Sequence, residues 1–299
     1  METTVGVVVV TFNRLQLLKE VIASLREQVY SNYQIIVVNN GSTDGTGSWL
    51  SSQEDIYTIT QENSGGAGGF FSGMKYVAEH GFDYCWVMDD DVVCQPMALK
   101  ELIDAFRVKP DIGFVCSKVV GIDGCPMNVP MVDVRPSANG YPDYCEFIEQ
   151  QMLKVTLATF VSVLFDTKVI RELGLPYKEF FIWGDDSEYT SRVSKKYDCY
   201  LACKSIVVHK RSIQGSLSFF TEKDPKRLSN YFYTFRNQDF VNLQNSSVKK
   251  KISWFLRRLL LLLKLIFKID FVRVRVLSKA TLSLLHFSPR VVFPIEIQK

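Results

Sequence analysis

The sequence predicts a mixed α/β fold, in which a mostly parallel sheet is flanked by helices and a helical region follows at the C-terminal end. Short apolar runs with the character of buried strands alternate with segments of helical periodicity. The links between them are short, as in parallel sheets whose strands are joined by helical crossovers. The last fifty or so residues are basic and apolar with helical spacing, which sets them apart from the strand-rich part.

The first elements follow directly from this pattern. The first strand, residues 5–10, consists mainly of valine without polar alternation, which indicates burial on both faces. The helix at 15–28 has apolar residues spaced three and four apart. The second strand, 34–38, ends in a turn rich in Asn, Gly and Ser, and a shorter strand follows at 56–60.

The alternation continues in the next segment. A glycine-rich stretch, residues 63–70, leads into a predicted helix at 71–80. The apolar strand at 84–88 follows, then a helix at 96–107 and a strand at 112–116. Because each strand is followed by a helix, the strands are expected to run parallel in one sheet.

The composition limits the classes of protein to which the chain can belong. Its 299 residues, 47% of them hydrophobic, suffice for one large core or for a core with a smaller appendage. The net charge of +3 provides no field that would attract nucleic acid, so no nucleic-acid partner is predicted. The seven cysteines are odd in number and form no Cys-x-x-Cys pair, which suits a reducing compartment. Because the sequence also begins without a basic leader, we expect the catalytic part to face the cytoplasm.

Three consecutive carboxylates, Asp89, Asp90 and Asp91, follow the strand at residues 84–88. Because side chains alternate along a strand, Asp89 and Asp91 can point to one face while Asp90 points to the other. Two carboxylates on one face repel each other unless a cation lies between them, and Mg²⁺ or Mn²⁺ prefers such oxygen ligands. Open α/β sheets bind their ligands at this end of the strands. A solvated acidic turn is the alternative for an isolated Asp triplet.

A second cluster of carboxylates, Asp185, Asp186 and Glu188, lies within an aromatic segment. The aromatic neighbours of this cluster are Phe180, Phe181, Trp183 and Tyr189. They could form a wall on which a sugar stacks, and they would raise the pKa of a carboxylate by desolvation. The alternative is that these acids only complement the dipole of a helix that begins there. That alternative explains the presence of one acid better than the presence of three.

The glycine-rich stretch at residues 63–70 matches neither of two common phosphate-binding fingerprints. It lacks the lysine of a P-loop and the spacing of a dinucleotide-binding turn directly after the first strand. A P-loop enzyme and a Rossmann dehydrogenase are therefore not predicted. Its glycines would let backbone N–H groups approach a phosphate, and a turn that starts a helix explains them equally well.

The motifs of this chain and their spacing resemble those of one known family. They are Thr11-Phe-Asn-Arg14, the Asn- and Gly-rich turn at 39–46 and Met88-Asp-Asp-Asp91. In this order they resemble family 2 glycosyltransferases, which are inverting enzymes with the A-type (GT-A, Rossmann-like) nucleotide-diphospho-sugar transferase fold. Residues 63–70 and 180–189 resemble the galactofuranosyl- and rhamnosyltransferase branch of that family, and the likeness covers about residues 5–211.

The resemblance implies a nucleotide-sugar donor whose diphosphate is bridged by Mn²⁺ or Mg²⁺. Asp89, Asp91 and His209 would hold that metal ion, with His209 at the end of a β-like run at 206–209. A histidine at a strand end is more often a structural residue, and here the motif context favours a ligand. Arg14, just past the first strand, would contact the diphosphate.

The resemblance also implies which residues bind substrate and carry out the transfer. Asp186 would be the base that takes the proton of the acceptor hydroxyl group, and Asp185 would bind an acceptor hydroxyl. In the turn after the second strand the family often has an Asp that contacts the uracil base. This chain has Asn39 and Asn40 there instead. The side-chain carbonyl of an Asn can still accept a hydrogen bond from N3–H of the base. The implied substrate contacts are Thr11, Phe12, Asn13, Arg14, Asn40, Asn63, Gly65, Gly66, Gly69, Asp90, Trp183 and Glu188.

Two further segments surround the proposed catalytic motifs. Residues 121–150 are rich in Pro and Gly, which predicts an irregular insertion over the acceptor side that could act as a mobile lid. After residue 211 the pattern becomes helical, with a helix predicted at 224–244. It contains an aromatic-Arg-Asn segment, 231–237, similar to one in bacterial members of the family. Interdomain packing is favoured for this segment over binding of an acceptor diphosphate.

Residues 249–268 predict an amphipathic helix. Its basic residues are spaced so that they stack on one face: Lys250, Arg257, Lys264 and Lys268. No stretch reaches the ~20 apolar residues that a membrane span needs. The helix is therefore predicted to lie in the membrane interface, with contact through 249–275. A core helix or an oligomer interface, with cations that reach out to solvent, is the alternative.

Together these observations predict two parts and one activity. The catalytic domain would be 1–215, with a donor half at about 1–118 and an acceptor half at about 119–215, followed by a helical, membrane-associating region at 216–299. The predicted activity is inverting transfer of galactofuranose from UDP-galactofuranose onto a lipid-linked or oligosaccharide acceptor, a growing bacterial surface glycan, at the inner face of the plasma membrane. The alternatives are a dTDP-rhamnose donor and a non-catalytic glycan- or nucleotide-binding module on the same fold.

Overall fold

The computed structural model describes residues 3–211, 218–244 and 246–295, and these fold around one large mixed sheet. The described strands are β1 (Val5–Thr11), β2 (Tyr33–Asn39), β3 (Ile56–Thr60), β4 (Tyr84–Asp89), β5 (Val92–Cys94), β6 (Ile112–Val120), β7 (Met131–Val132), β8 (Met152–Leu157), β9 (Val163–Asp166) and β10 (Asp198–His209). The described helices are α1 (Leu15–Arg26), α2 (Thr46–Leu50), α3 (Gly65–Glu79), α4 (Ala98–Phe106), α5 (Thr167–Leu173), α6 (Asp185–Val193), α7 (Pro225–Leu243), α8 (Val248–Phe267) and α9 (Phe271–Ser283), with a 3₁₀ turn at Lys178–Phe180. The predicted α/β class is confirmed.

The sheet has a parallel half and a mixed half. The strand order is β3-β2-β1-β4-β9-β6-β10-β8-β7, and β5 also pairs with β10. Strands β3, β2, β1 and β4 run parallel, whereas β9 lies antiparallel between β4 and β6. The carboxyl ends of β1, β2 and β4 therefore meet at one edge, where open α/β sheets bind ligands.

The valine run of β1 is buried on both faces, as predicted. Val7 and Val9 belong to the core on the side of α1 and α4, whereas Val8 and Val10 belong to the core on the side of α3. Side chains alternate along a strand, so a strand between two layers of helices needs apolar residues at every position. This is why the run contains no polar alternation.

Helix α3 begins earlier than the sequence indicated, at Gly65 instead of residue 71. The glycines of its first turns let it lie close to β1. A Cβ atom at Gly69 would lie 2.3 Å from Cγ1 of Val10, and one at Gly73 would lie 2.2 Å from Cγ1 of Val8. Packing against the sheet thus outweighs the low helix propensity of glycine.

The insertion at 121–150 is mostly irregular, as predicted, and its first part folds back on the end of β6. The backbone N–H of Gly121 donates to the carbonyl of Cys125 (2.8 Å), and that of Met127 donates to the carbonyl of Val119 (3.1 Å). The hairpin-like turn delivers Asn128 to the edge of the sheet that carries the site. Movement of the insertion as a lid stays a prediction.

The C-terminal helices form a small core of their own. Leu228 of α7, Leu265 of α8 and Leu277 of α9 pack together in it. A buried ion pair between Arg258 of α8 and Asp239 of α7 ties the first two helices to each other. The predicted domain boundary at 215–216 lies outside the described residues. Across the ranges that the structure covers, no helix combines the length and the hydropathy needed to cross a membrane.

Candidate active site

The first carboxylate cluster lies where β4 leaves the sheet. Asp89 ends β4, and Asp90 and Asp91 form the turn to β5. Strand β5 pairs antiparallel with β10 in a register that sets Val92 opposite His209. Because Asp91 precedes Val92, this pairing brings His209 beside the carboxylates, although the two segments lie far apart in sequence.

Asp89, Asp91 and His209 form a group that could hold a metal ion. One ligand atom from each of the three lies within 4.8 Å of the others. His209 Nε2 is 3.1 Å from Asp91 Oδ1. That oxygen is buried and has no hydrogen-bond partner among the residues that the structure describes. A buried acceptor without a donor is rare, so the arrangement fits a divalent cation with oxygen and nitrogen ligands.

The electrostatics of the cluster agree with this fit. Burial raises the pKa of Asp89 well above its ordinary value, and the charges of Asp91 and Asp90 raise it further, against the opposing effect of Arg14. Burial works in the same direction on Asp91, but contacts with His209 and Arg14 outweigh it and lower the pKa of Asp91. The carboxylates therefore crowd negative charge into a buried site, which a cation would stabilise.

Asp90 is not one of the three residues that could hold the metal ion. It accepts hydrogen bonds from the hydroxyl of Thr11 (2.7 Å) and from Nη1 of Arg14 (3.1 Å), and burial raises the pKa of Asp90 to about 6. Arg14 Nη1 also donates to Asp91 Oδ2 (2.9 Å). Thr11 and Asp90 were expected to contact substrate. Both are buried and bonded to each other, and their contact with a substrate stays a prediction.

The second carboxylate cluster faces the first across a cavity of about 390 Å³. Asp185 begins α6 and is buried, and Asp186 follows it. This space, which we call the donor cavity, is lined by Arg14, Gly66, Phe70, Asp89, Asp91, Asn128, Thr159, Phe160, Val161, Ile182, Trp183, Asp185, Asp186, His209 and Arg211. The fold thus brings together two acids from each carboxylate cluster with His209, Arg14, Gly66 and Trp183.

Asp185 and Asp186, the first two acids of α6, share one desolvated environment. Burial raises the pKa of Asp185, and the charge of Asp186 raises it further. Burial also raises the pKa of Asp186, while hydrogen bonds from Ser187 oppose that effect. Neighbouring carboxylates with raised pKa values suit proton transfer near neutral pH.

A strained loop carries Trp183 and Asp185 into place. Phe181 and Trp183 both have positive φ angles, 65° and 62°, which are costly for residues with a Cβ atom. Helix α7 holds this loop, because Asn237 Nδ2 donates to the carbonyls of Phe180 (3.0 Å) and Trp183 (2.8 Å). Arg236 Nη2 donates to the carbonyl of Glu179 (2.7 Å). The aromatic-Arg-Asn segment therefore has the packing role that was favoured.

The aromatic wall predicted around the acids is only partly present. Phe180 and Tyr189 are fully buried in the core, so they cannot stack on a sugar. Phe181 stacks on Tyr233 of α7, with ring centroids 4.9 Å apart. Trp183 alone among the four lines the donor cavity.

A second cavity, of about 530 Å³, lies between α6 and α7 and shares Trp183 and Asp186 with the first. Its lining residues are Leu157, Trp183, Gly184, Asp186, Ser187, Glu188, Ser191, Tyr231, Thr234, Asn237, Gln238, Val241 and Asn242. We call it the α7 cavity. Glu188 forms an ion pair with Arg192 one helical turn further on, with Arg192 Nη2 2.9 Å from Glu188 Oε2. A charged pair on the face of a helix therefore accounts for Glu188 without a contact to substrate.

Several residues predicted to bind substrate have other contacts. Asn40 is 2% exposed; its Oδ1 accepts from the backbone N–H of Ser64 (3.1 Å), and its Nδ2 donates to the carbonyl of Gly65 (2.9 Å). The predicted contact of Asn40 with the nucleotide base stays a prediction. Asn63 Oδ1 likewise accepts from the N–H of Gly65 (2.9 Å). In the described part of the chain, Gly69 lines neither cavity and lies against β1 instead.

Other predicted contacts lie near the donor cavity without lining it. Phe12 is 39% exposed after β1, and Asn13 Oδ1 accepts from the N–H of Thr43 (2.7 Å) in the turn after β2. Their contact with a donor stays a prediction. Gly65 has φ +74°, and a Cβ atom there would lie 1.9 Å from the carbonyl oxygen of Phe181. Gly65 therefore acts by letting α3 approach the loop that carries Trp183.

Two sets of residues in these cavities were missed by the sequence interpretation. Asn128 Oδ1 lies 2.9 Å from His209 Nδ1, but an isolated Asn in an irregular insertion carries no recognisable signal. Helix α7 contributes Tyr231, Thr234 and Gln238 to the second cavity, although the chemistry was expected to lie before residue 212. The aromatic-Arg-Asn segment was the only available sign that α7 matters.

Comparisons with known proteins agree with this geometry. The family model for glycosyl transferase family 2 matches residues 6–166. The galactofuranosyltransferase GlfT1 of Mycobacterium tuberculosis is 26% identical over 258 residues, which cover 81% of this chain and 83% of that protein. An undecaprenyl-phosphate mannosyltransferase of Micrococcus luteus is 31% identical over 33% of this chain and 43% of that protein.

Solved structures with the same fold include TarS of S. aureus and the mannosyltransferase PcManGT of Pyrobaculum calidifontis. TarS has a TM-score of 0.57 at 15% identity; the match covers 83% of this chain but only 41% of that one. Its fragment 1–349 was solved in complex with UDP and has a TM-score of 0.56 at 15% identity. That match covers 83% of this chain and 68% of the fragment. PcManGT, in complex with GDP-Man and Mn²⁺, has a TM-score of 0.54 at 14% identity. That match covers 95% of this chain and 88% of PcManGT. At these identities the likeness shows the fold.

Proposed function

The chain belongs to glycosyl transferase family 2 and is a glycosyltransferase with the A-type fold; we propose that it is an inverting, divalent-metal-dependent enzyme that moves galactofuranose from UDP-galactofuranose onto a lipid-linked surface glycan. One observation carries the proposal. A potential metal group, Asp89, Asp91 and His209, faces the acids Asp185 and Asp186 across one cavity.

The donor would lie in the donor cavity with its diphosphate toward the metal group. Asp89, Asp91 and His209 would hold Mn²⁺ or Mg²⁺, which when bound supplies positive charge to the leaving diphosphate. The bonds of Arg14 to Asp90 and Asp91 both use Nη1, so its guanidinium group has further N–H donors for a phosphate oxygen. Gly66, in the first turn of α3, lines the same cavity and would present backbone N–H groups to that charge.

The transfer itself would use Asp185 and Asp186, the first two acids of α6. Asp186 would accept the proton of the acceptor hydroxyl group as its oxygen bonds to the anomeric carbon. On the opposite side of that carbon, the bond to the diphosphate oxygen breaks and UDP leaves, so the configuration inverts. Asp185, the more buried of the two, would bind an acceptor hydroxyl and stay protonated near neutral pH.

The donor identity is supported by the relatives. GlfT1, similar over most of both chains, is named as a galactofuranosyltransferase, and the TarS fragment was solved with UDP. The PcManGT complex contains Mn²⁺ together with a nucleotide sugar, which supports the metal. Nothing in the lining of the donor cavity selects a furanose ring, so the donor sugar requires a direct test.

Helix α8 supports attachment to the cytoplasmic face of a membrane. One side of it packs on the other helices, through the buried residues Arg258 and Leu265 and through Trp254, Leu261 and Leu262. A broad apolar band remains exposed: Ile252, Phe255, Leu256, Leu259, Leu260, Leu263, Ile266 and Phe267. The exposed basic residues Lys250, Arg257, Lys264 and Lys268 lie along one edge of this band. Such a helix can lie in the interface of an anionic membrane.

The test is a panel of nucleotide sugars assayed with Mn²⁺ and cell membranes as acceptor. Wild type should transfer sugar from UDP-galactofuranose, and chelation of the metal should stop the reaction. Asp91→Ala should abolish metal-dependent transfer while the protein stays folded by circular dichroism. Transfer from UDP-glucose or dTDP-rhamnose, with none from UDP-galactofuranose, would overturn the donor assignment. Full activity of Asp91→Ala in the presence of chelator would overturn the metal assignment.

A further inference from the structure

After α9 the chain returns to the part of the molecule that carries the site. We call residues 287–295 the strap. The backbone N–H of Leu175 donates to the carbonyl of Val292 (2.8 Å). Gly174 has φ +75°, and a Cβ atom there would lie 2.3 Å from Cγ1 of Val291. The strap therefore fits closely against the segment that leads to the second carboxylate cluster.

At its start the strap places Phe287 against the loop that carries Trp183 and against α7. The ring centroid of Phe287 lies 6.0 Å from that of Phe180 in the loop and 5.4 Å from that of Phe240 in α7. The guanidinium carbon of Arg236 lies over the same ring, 3.8 Å from its centroid. Burial lowers the pKa of Arg236 to about 10, which indicates that the cation has lost part of its water. Attraction between a cation and an aromatic face is strongest where the cation is desolvated.

Arg236 in turn orients Asn237. Nε and Nη2 of Arg236 both donate to Oδ1 of Asn237, at 3.0 Å and 2.9 Å. Because the oxygen of the amide is held there, its Nδ2 faces the carbonyls of Phe180 (3.0 Å) and Trp183 (2.8 Å) and donates to both. With the amide reversed, its oxygen would face those carbonyls, and no hydrogen bond could form between them.

The loop needs this support because its backbone is strained. Phe181 and Trp183 have positive φ angles, a conformation that persists only where the surroundings impose it. Helix α6 begins with Asp185 and Asp186 directly after this loop. A loop that relaxed would displace both acids, and displacement of a reacting group by about 1 Å can slow a reaction about a hundredfold.

We infer that Phe287 is a positioning residue for the transfer: it holds Arg236, which orients Asn237 and so fixes the loop that leads to the first two acids of α6. The inference rests on the proposed function, because it concerns the placement of the base of that reaction. Among the described residues Phe287 lines neither the donor cavity nor the α7 cavity. Its effect on the reaction would therefore pass through these contacts and not through substrate.

The kinetic test compares Phe287→Leu with Phe287→Tyr. Leucine keeps an apolar side chain but removes the ring face, so kcat should fall about ten- to a hundredfold. The KM for the donor should change little, because the proposed metal group belongs to β4, β10 and the turn after β4. Tyrosine keeps the ring and should keep a kcat near that of wild type.

The strap itself offers a matched control, Phe293→Leu. Phe293 is 56% exposed and lies beside Gly174. The same substitution at this position should leave kcat unchanged. Equal slowing by Phe287→Leu and Phe293→Leu would overturn the inference, because the strap would then act only as a support for the whole fold.

Hydrogen exchange, followed by mass spectrometry, measures the loop itself without turnover. In Phe287→Leu the amides of residues 181–186 should exchange faster than in wild type, whereas those of β1 should be unchanged. Phe287→Tyr and Phe293→Leu should exchange like wild type in both segments. If Phe287→Leu is not folded by circular dichroism, Phe287→Met replaces it with the same expected result.

A double variant tests whether Phe287 acts through Arg236. Arg236→Lys keeps the charge but loses the planar fork that donates to Asn237 and to the carbonyl of Glu179. If one chain of contacts carries the effect, Phe287→Leu combined with Arg236→Lys should be no slower than the slower single variant. Losses of kcat that multiply would overturn the inference.

The outcomes separate this inference from the proposed function. Faster exchange of residues 181–186 in Phe287→Leu, with no transfer by wild type from any nucleotide sugar, would count against the proposed function alone. Transfer by wild type, with kcat and exchange both unchanged in Phe287→Leu, would count against the role of Phe287 alone.

Discussion

Asn128 Oδ1 lies 2.9 Å from Nδ1 of His209. An amide oxygen can only accept a hydrogen bond, so a proton on Nδ1 of His209 would complete this contact. The lone pair of Nε2 then points toward Asp91 Oδ1, 3.1 Å away. In that tautomer Nε2 of His209 has no proton and could bind a metal ion beside Asp91. Asn128 would then orient His209 in the way that outer-shell partners orient metal-binding histidines.

The first prediction concerns this outer-shell contact. Asn128→Ala should weaken the binding of Mn²⁺ roughly 10- to 100-fold, because the ring of His209 loses the bond that sets its tautomer and orientation. Affinity is measured by electron paramagnetic resonance of free Mn²⁺ in the presence of UDP. Asn128→Asp should restore much of the affinity, since a carboxylate oxygen also accepts from Nδ1–H.

The control for this variant lies in the same insertion. Asn139 Oδ1 accepts from the hydroxyl of Ser137 (2.7 Å) and from the N–H of Tyr141 (3.1 Å), within a surface turn. Asn139→Ala should leave Mn²⁺ affinity unchanged. If both alanine variants weakened binding equally, the contact to His209 would have no special role.

The second prediction concerns the base. Asp186→Asn keeps the shape of the side chain but removes the proton acceptor, so transfer should fall by roughly two to four orders of magnitude. The affinity for UDP, measured by calorimetry, should barely change. Near-normal turnover would transfer the role to Asp185, because the carboxylate of Glu188 is held by Arg192 at 2.9 Å.

The third prediction concerns pH. Burial, and then the charge of Asp186, raises the pKa of Asp185 to about 8, whereas an unperturbed Asp titrates near ~3.9. Between these values the folded protein binds more protons than the unfolded chain, so this group makes the free energy of unfolding fall as pH rises. Asp185→Asn should therefore stabilise the protein, more at pH 8 than at pH 5. Urea denaturation at a series of pH values measures the difference.

Glu149→Gln provides the comparison, because Glu149 is an exposed acid. It should show little pH-dependent change in stability. A loss of stability in Asp185→Asn at every pH would mean that the fold stabilises the charged carboxylate, contrary to the expectation.

The fourth prediction separates a close approach from backbone strain. Gly65 and Gly81 both have positive φ, +74° and +77°, but a Cβ atom at Gly81 would meet no atom within 4 Å. Gly81→Ala should cost about 1–2 kcal/mol of stability, the penalty of that backbone region alone. Gly65→Ala should cost more and should also reduce transfer, because its methyl group displaces Phe181 and the loop to Trp183. Equal losses for the two variants would argue against this role of Gly65.

The fifth prediction concerns helix α8. Each Lys or Arg near an anionic membrane contributes about 1 kcal/mol, and burial of the apolar band adds an effect that salt does not screen. Binding to vesicles with anionic lipids should weaken at high salt without vanishing. Changing Lys250, Arg257, Lys264 and Lys268 together to Glu should release the enzyme, which sedimentation with the vesicles measures.

The matched control reverses four exposed cations elsewhere: Arg107, Lys118, Lys195 and Lys204. This variant should still bind vesicles. If the α8 variant also stayed bound, or wild type never bound, the exposed band of α8 would be reassigned to an oligomer interface, and gel filtration would measure the change in mass.

The sequence by itself determined the fold class, the family and the two carboxylate clusters. These are local properties of the sequence. Neither the alternation that puts Val8 and Val9 on opposite faces nor a run of acids at the end of a strand requires a long-range contact to be recognised. Asp89 and Asp91 were identified at the end of a strand, and Asp185 and Asp186 as a cluster of acids within an aromatic segment; all four line the cavity.

The tertiary structure alone decided which residues meet. The antiparallel pairing of β5 with β10 places His209 beside Asp91, and the turn at the end of β6 places Asn128 beside His209. No periodicity in the sequence encodes these contacts, because they depend on strand order and register. For the same reason no signal in the sequence showed that the side-chain oxygen of Asn40 accepts a hydrogen bond from the N–H of Ser64.

The role of α7 was hidden for a related reason. A helix shows its apolar face in the sequence but not the partner against which that face packs. Only the folded chain shows that Asn237 holds the loop of Trp183 and that Tyr231 lines a cavity beside Asp186. The chemistry of single segments is therefore local and predictable, whereas the geometry of the site arises from contacts between segments that are distant in the chain.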